Sequence, residues 1–99
     1  MVELFDTTEL MISKNYKDRF KAEYWQTKIR YERLKNFNNT IEASKRMDTE
    51  EPKHDCTFGI LKEQQELMNQ YLHVLEIRAI IENIDLTNLA SEEMGNASK

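Results

Sequence analysis

From Met1 to Glu51 the chain contains neither glycine nor proline, and its 99 residues include only two glycines and one proline in all. Tight reversals usually need one of those residues, so a turn-rich β-sandwich or barrel is disfavoured and long helices are the natural alternative. The apolar spacing agrees. Tyr16, Phe20, Tyr24, Thr27, Tyr31, Leu34, Asn38 and Ile41 follow one another at steps of four or three, and Trp25 and Ile29 widen that stripe. Residues so spaced share one helical face. The pattern predicts a long helix over residues 14–42, on the order of 40 Å at ~1.5 Å per residue.

Before it, residues 1–13 carry Asp6 and Glu9 at the spacing of a capping box, which predicts a short N-terminal helix through Leu10, Met11 and Ile12. Ser13 or Asn15 then offers the next N-cap. Residues 43–57 lose the apolar stripe, and Pro52 disfavours helical geometry at Glu51, so a polar loop reverses the chain there. A second long helix is predicted over residues 58–85. Leu61, Met68, Leu72, Leu75 and Ala79 form one line on it, and Ile60, Leu67, Tyr71, Val74 and Ile81 form the adjacent line. Together they make a face wider than a two-helix seam needs, which predicts contacts beyond the partner helix of the same chain. Residues 86–99 form a polar C-terminal tail.

The expected fold is all-α: an antiparallel two-helix hairpin with a short N-terminal helix. Hydrophobic residues make up 39% of the chain and charged residues 32%, lean for a compact core, so a helical homo-oligomer that shares apolar faces is expected. One cysteine excludes a disulfide framework and an ordinary cysteine-based zinc site. The N-terminus is acidic where a signal peptide is basic, and nothing approaches the ~20 apolar residues of a membrane span. A soluble, intracellular chain is expected, with no membrane partner.

Charge is unevenly distributed. Eight basic residues against three acidic ones give residues 14–35 a charge of +5, leaving −9 on the rest of a chain whose net charge is −4. The same segment holds Tyr16, Phe20, Tyr24, Trp25 and Tyr31. Cations that pair with phosphates, beside aromatic faces that stack on bases at ~1–3 kcal/mol each, suit small anionic nucleotides. The overall negative charge argues against long nucleic acids. The competing reading is a solvated basic face opposite an aromatic core stripe. Arg78 falls on an apolar stripe in register with Tyr71 and Val74, where it must snorkel, pair with a carboxylate such as Glu82, or meet an anion at an assembly interface.

Other chemistry is sparse. His54, Asp55 and Cys56 are contiguous in the polar loop, too few for a metal cluster, and His73 neighbours apolar helix positions. No catalytic triad spacing, carboxylate pair, glycine-rich phosphate loop or metal-ligand repeat is recognisable, so neither an enzyme nor a cofactor is expected. Asn38-Asn39-Thr40 matches a glycosylation sequon without any sign of secretion.

Two sets of residues carry a family resemblance. The first is Tyr16, Arg19, Glu23, Lys28, Arg30, Arg33 and Leu34; the second is Leu61, Gln64, Met68, Tyr71, Val74, Leu75 and Arg78. Over residues 16–84 they resemble a family of small proteins of crAss-like phages and prophages. That family is similar to the helical-hairpin anti-CBASS sponges, which assemble as hexamers and sequester cyclic oligonucleotide immune signals. The resemblance implies that Tyr16 stacks on a base of a cyclic dinucleotide, with Lys28, Arg30 or Arg33 as its basic partner. It further implies that Arg78 faces a symmetry axis and contacts cyclic trinucleotide phosphates. The longer acidic loop at 43–57 and the polar tail depart from the compact members.

The leading expectation is therefore a phage counter-defence protein that sequesters cyclic di- or trinucleotides without cleaving them. The alternative is an anti-CRISPR-type inhibitor whose acidic surface, outside residues 14–35, occupies the basic groove of a host nuclease. A ligand-free structural oligomer is the third.

Overall fold

The computed structural model describes residues 7–87 of the chain. Three helices follow in order: α1 (Thr8–Ile12), α2 (Tyr16–Met47) and α3 (Phe58–Ile81). Among the described residues there is no strand. The fold is all-helical, with α2 and α3 as an antiparallel hairpin and α1 against the start of α2.

The start of α2 is set by side chains. Asn15 is the N-cap, its side chain accepting from the Lys17 N–H at 2.8 Å, and it satisfies a donor that the helix leaves open. Ser13, the other candidate, ties the connector down instead: its Oγ accepts from the Asn15 N–H (3.0 Å) and donates to Asp18 Oδ2 (2.7 Å). Arg19 adds a bond from its guanidinium to the Ser13 carbonyl at 3.0 Å. Asp18 and Lys21 are both buried here, and neither is without a partner. α1 buries Leu10 against this region, and Gln26 Nε2 donates to Thr7 Oγ1 (3.2 Å) and to the Met11 sulfur. Thr7 is the N-cap of α1 but makes no side-chain cap bond; Asp6 of the predicted capping box lies outside the described residues.

Both long helices end differently from the sequence reading, for one physical reason. The helix predicted over 14–42 continues to Met47, and the one predicted over 58–85 stops at Ile81. Each ends in a left-handed residue that is not glycine, Asp48 at φ 57° and Asn83 at φ 58°. In each the next amide reaches back: Thr49 N–H to Ser44 O (2.9 Å) and Ile84 N–H to Ala79 O (2.8 Å). These are Schellman closures, usually marked by glycine. The polar end of α2 persists because Lys45 and Arg46 suit the negative helix terminus, and Arg46 pairs with Glu42 at 3.0 Å. The polar loop expected at 43–57 thus begins only after Met47. Of the predicted tail at 86–99, residues 88–99 lie outside the described residues.

The core lies along the facing sides of α2 and α3. Phe20, Tyr24, Leu72, Leu75, Ala79 and Ile84 form its buried cluster, with Trp25, Tyr31 and Leu86 packed against it. After Asn83 the chain folds back, burying Ile84 and presenting the Leu86 carbonyl to Trp25 Nε1–H at 2.7 Å. Polar clasps hold the register. Tyr24 donates to Glu76 (2.7 Å), Tyr71 to Glu23 (3.1 Å), and buried Asn38 to the Leu61 carbonyl (3.1 Å) and Gln65 (2.9 Å). Burial removes Asn38 of the sequon from any modifying enzyme in the folded chain.

The two apolar lines on α3 have separate fates. Leu72, Leu75 and Ala79 of the first are buried against α2. Ile60, Leu67, Tyr71, Val74 and Ile81 of the second are all exposed, Ile81 to 76%.

Candidate functional site

Because the hairpin is antiparallel, the first turn of α2 lies beside the last turn of α3. Tyr16, half exposed although it opens the core stripe, meets Arg78 from 62 positions away. The Arg78 guanidinium donates to the Tyr16 hydroxyl through Nη2 and to Glu82 Oε2 through Nε at 2.9 Å. The Tyr16 hydroxyl in turn donates to Glu82 Oε1 at 2.8 Å. Beneath them, Phe20 presents its ring to the guanidinium, 4.9 Å from Cζ to centroid, and meets the Tyr16 ring edge-on at 6.2 Å. A cation over an aromatic face is held electrostatically and keeps its outer edge open. Lys17 Nζ donates to the Asn83 carbonyl at 3.4 Å and adds positive charge beside the cluster.

The protonation states follow from these contacts. The Tyr16 phenol is raised above its usual range, first by its hydrogen bond to the Glu82 carboxylate and then by desolvation. Glu82 is lowered, chiefly by the bonds it accepts from Tyr16 and Arg78. At neutral pH the cluster holds a neutral phenol donor, a carboxylate and a guanidinium. Such a set of donors grips an anionic oxygen. One such oxygen set, that of Glu82, already occupies it.

The basic residues of the resemblance separate. Lys28 lines a shallow groove of about 450 Å³ with Asn69, Gln70, Leu72, His73, Val74 and Glu76. Its ammonium pairs with Glu32 at 3.3 Å and sits 5.9 Å from the Tyr31 ring centroid. Arg30 and Arg33 are exposed, outside that groove, and Arg33 has a partner. Along α2, Lys28 is ~18 Å beyond Tyr16, so a single chain brings Tyr16 together with Arg78 but not with Lys28, Arg30 or Arg33. Of the other aromatics, Phe20 and Tyr24 are buried in the core and Trp25 is half-buried, while Tyr71 is exposed like Tyr16 but bonds Glu23 rather than Arg78.

Sequence reasoning missed Phe20 and Lys17 as members of the cluster. Phe20, one turn after Tyr16, belongs to the core as its place on the stripe predicts, and also lies under the Arg78 guanidinium. In the loop, His54 Nδ1–H donates to the Cys56 carbonyl (2.6 Å) and Nε2 faces Glu51 (3.2 Å), while Glu51 also meets Lys45 at 3.1 Å. That clasp, with the His54 ring edge-on to Phe37, pins the reversal. Among the described residues no three or more His, Cys, Asp or Glu side chains are grouped to hold a metal ion, and no helix is long and apolar enough to cross a membrane.

The hairpin that carries this cluster matches a family model described as Sequestin over residues 14–81, more than half of the chain. Tyr16 and Arg78 fall inside the matched segment and Glu82 just beyond it. No curated protein and no solved structure matches the chain.

Proposed function

Since this chain belongs to the Sequestin family, we propose that it is a phage counter-defence protein that binds and sequesters cyclic oligonucleotide immune signals without cleaving them. The observation that carries the reading is the meeting of Tyr16 and Arg78 at one end of the hairpin, with an exposed ring and a half-exposed guanidinium side by side. A ring stacks on a base while a guanidinium pairs with a phosphate, and both are features of cyclic di- and trinucleotides. The family's name, Sequestin, is consistent with a sequestering role.

The pocket is completed by further copies of the chain. The exposed line Ile60, Leu67, Tyr71, Val74 and Ile81 continues through Gln64 and Arg78 at alternating steps of four and three, the spacing of a coiled-coil seam. Helices paired along that seam gather Arg78 from several copies. Lys28, beside the groove and too far from its own Tyr16, then serves the neighbour's ligand.

Isothermal calorimetry with a panel of cyclic di- and trinucleotides tests the reading. Binding of at least one is expected, and it weakens in Tyr16→Ala and Arg78→Ala. Ligand released by heating the complex should chromatograph intact. No heat for any member of the panel, with the protein folded by circular dichroism, sinks the proposal.

A further inference from the structure

The Glu82 carboxylate sits where a ligand anion belongs. One of its oxygens accepts from the Tyr16 hydroxyl at 2.8 Å and the other from Arg78 Nε at 2.9 Å. Two oxygens of a phosphate group, spaced much as those of a carboxylate, satisfy the same two donors. We propose that Glu82 is a built-in competitor, an internal anion that holds the Tyr16–Arg78 site in the empty protein and must be displaced when a ligand phosphate binds. This rests on the reading of that cluster as an anion site and adds its regulation.

Three observations favour displacement over a fixed structural bond. Glu82 caps the C-terminus of α3, where the helix dipole presents its negative end and opposes a carboxylate. Its side chain is 30% exposed and that of its partner Arg78 45%, so both ends of the pair are in reach of water and of a ligand. The bond spans one helical turn between groups that both reach solvent, a kind that adds little to folding. By contrast, the turn itself is held by backbone bonds that do not involve the carboxylate: Glu82 N–H to Arg78 O (2.8 Å) and Ile84 N–H to Ala79 O (2.8 Å). The carboxylate can therefore swing out while the chain stays in place. Arg78 does not move with it, because Phe20 lies under its guanidinium and Tyr16 accepts from Nη2.

Such a device sets a threshold for the ligand. A singly charged carboxylate is a weak rival for a phosphodiester presented together with a stacked base, and a strong one for a stray carboxylate metabolite. Selectivity for phosphates then comes from competition at the site as well as from shape.

The test uses inorganic phosphate as the probe, followed through the Arg78 Nε–H signal by NMR titration of the full chain. Glu82→Gln keeps the size and removes the charge; Glu66→Gln, on the same helix, controls for the change in net charge. Phosphate is expected to bind Glu82→Gln roughly threefold to tenfold more tightly than wild type, with little change in Glu66→Gln. Arg78→Ala combined with Glu82→Gln should lose the gain, read by ³¹P line broadening since the reporter is then absent. Equal affinities for wild type and Glu82→Gln overturn the proposal, as does a gain shared by Glu66→Gln or retained without Arg78. If Glu82→Gln fails to fold, Glu82→Ala is read by the same criteria. The two readings fail separately: a phosphate gain with no cyclic nucleotide bound removes the sequestered signal and keeps the competitor, whereas nucleotide binding unchanged by Glu82→Gln, with no phosphate gain, does the reverse.

Discussion

At the scale of single residues, polar side chains decide how the helices meet. Tyr24 is buried, and its hydroxyl donates to Glu76 across the interface at 2.7 Å. Burial first, and the carboxylate second, push its phenol well above the ordinary tyrosine range, so it stays a donor throughout the accessible pH range. Tyr24→Phe keeps the ring in the core and deletes one hydrogen bond. Urea unfolding should find it less stable by about 1 kcal/mol. The loop clasp depends on pH. His54 is raised above 6.5, first by its bond to the Cys56 carbonyl and then by Glu51, while Glu51 is lowered from 4.5, first by His54 and then by Lys45. The histidine's contribution is complete below its unfolded value and is lost as pH rises through its folded one. That of Glu51 is complete above its unfolded value and is lost as pH falls through its folded one. The clasp is therefore strongest between 4.5 and 6.5, the ordinary values of the two groups. Proton NMR of His54 should titrate above 6.5, and Glu51→Gln should bring it down; an unchanged titration would remove Glu51 from the clasp.

At the scale of the elements, stability is concentrated on one side of α3. Leu75 is buried against α2, and Val74 beside it points outward. Leu75→Ala should cost about 2–5 kcal/mol in chemical unfolding through the lost contacts and the cavity left behind. Val74→Ala should stay within about 0.5 kcal/mol for the isolated chain. The helix ends offer a second measurement. Asn83 holds a left-handed backbone at φ 58°, a conformation that costs a residue with a Cβ about 1–2 kcal/mol and that asparagine tolerates better than most. Asn83→Ala should lower the thermal midpoint and Asn83→Gly should not. These ends were the least legible part of the chain. Asp48 and Asn83 carry no glycine signal; the apolar stripe stops at Ile41, short of the end of α2, and Ile84 and Leu86 add apolar residues just beyond the end of α3.

At the scale of the whole molecule, the exposed apolar line along α3 is the surface on which the proposed assembly rests. Large apolar side chains exposed in register along one helix face are characteristic of an interaction surface. Leu67 lies near the middle of that line and is exposed, so Leu67→Glu should leave the helical spectrum unchanged. It should reduce the mass measured by light scattering from that of the proposed oligomer to that of the monomer, and weaken the proposed nucleotide binding with it. A wild-type monomer at micromolar concentration would remove the shared pocket.

Much of this architecture is written in local spacing. The long stripe from Phe20 to Ile41, the two lines on α3 and the pairing of Arg78 with Glu82 one turn later all depend on helical periodicity, which any stretch of chain expresses without reference to the rest. Tertiary structure decided which α3 line turned inward, that Phe20 would lie under Arg78, and that Tyr16 would close on a residue 62 positions away. Those outcomes depend on the register between α2 and α3, held by Tyr24 with Glu76 and by Asn38 with Leu61 and Gln65. A periodic pattern repeats every turn, so it is satisfied by several registers. Only the long-range clasps select one.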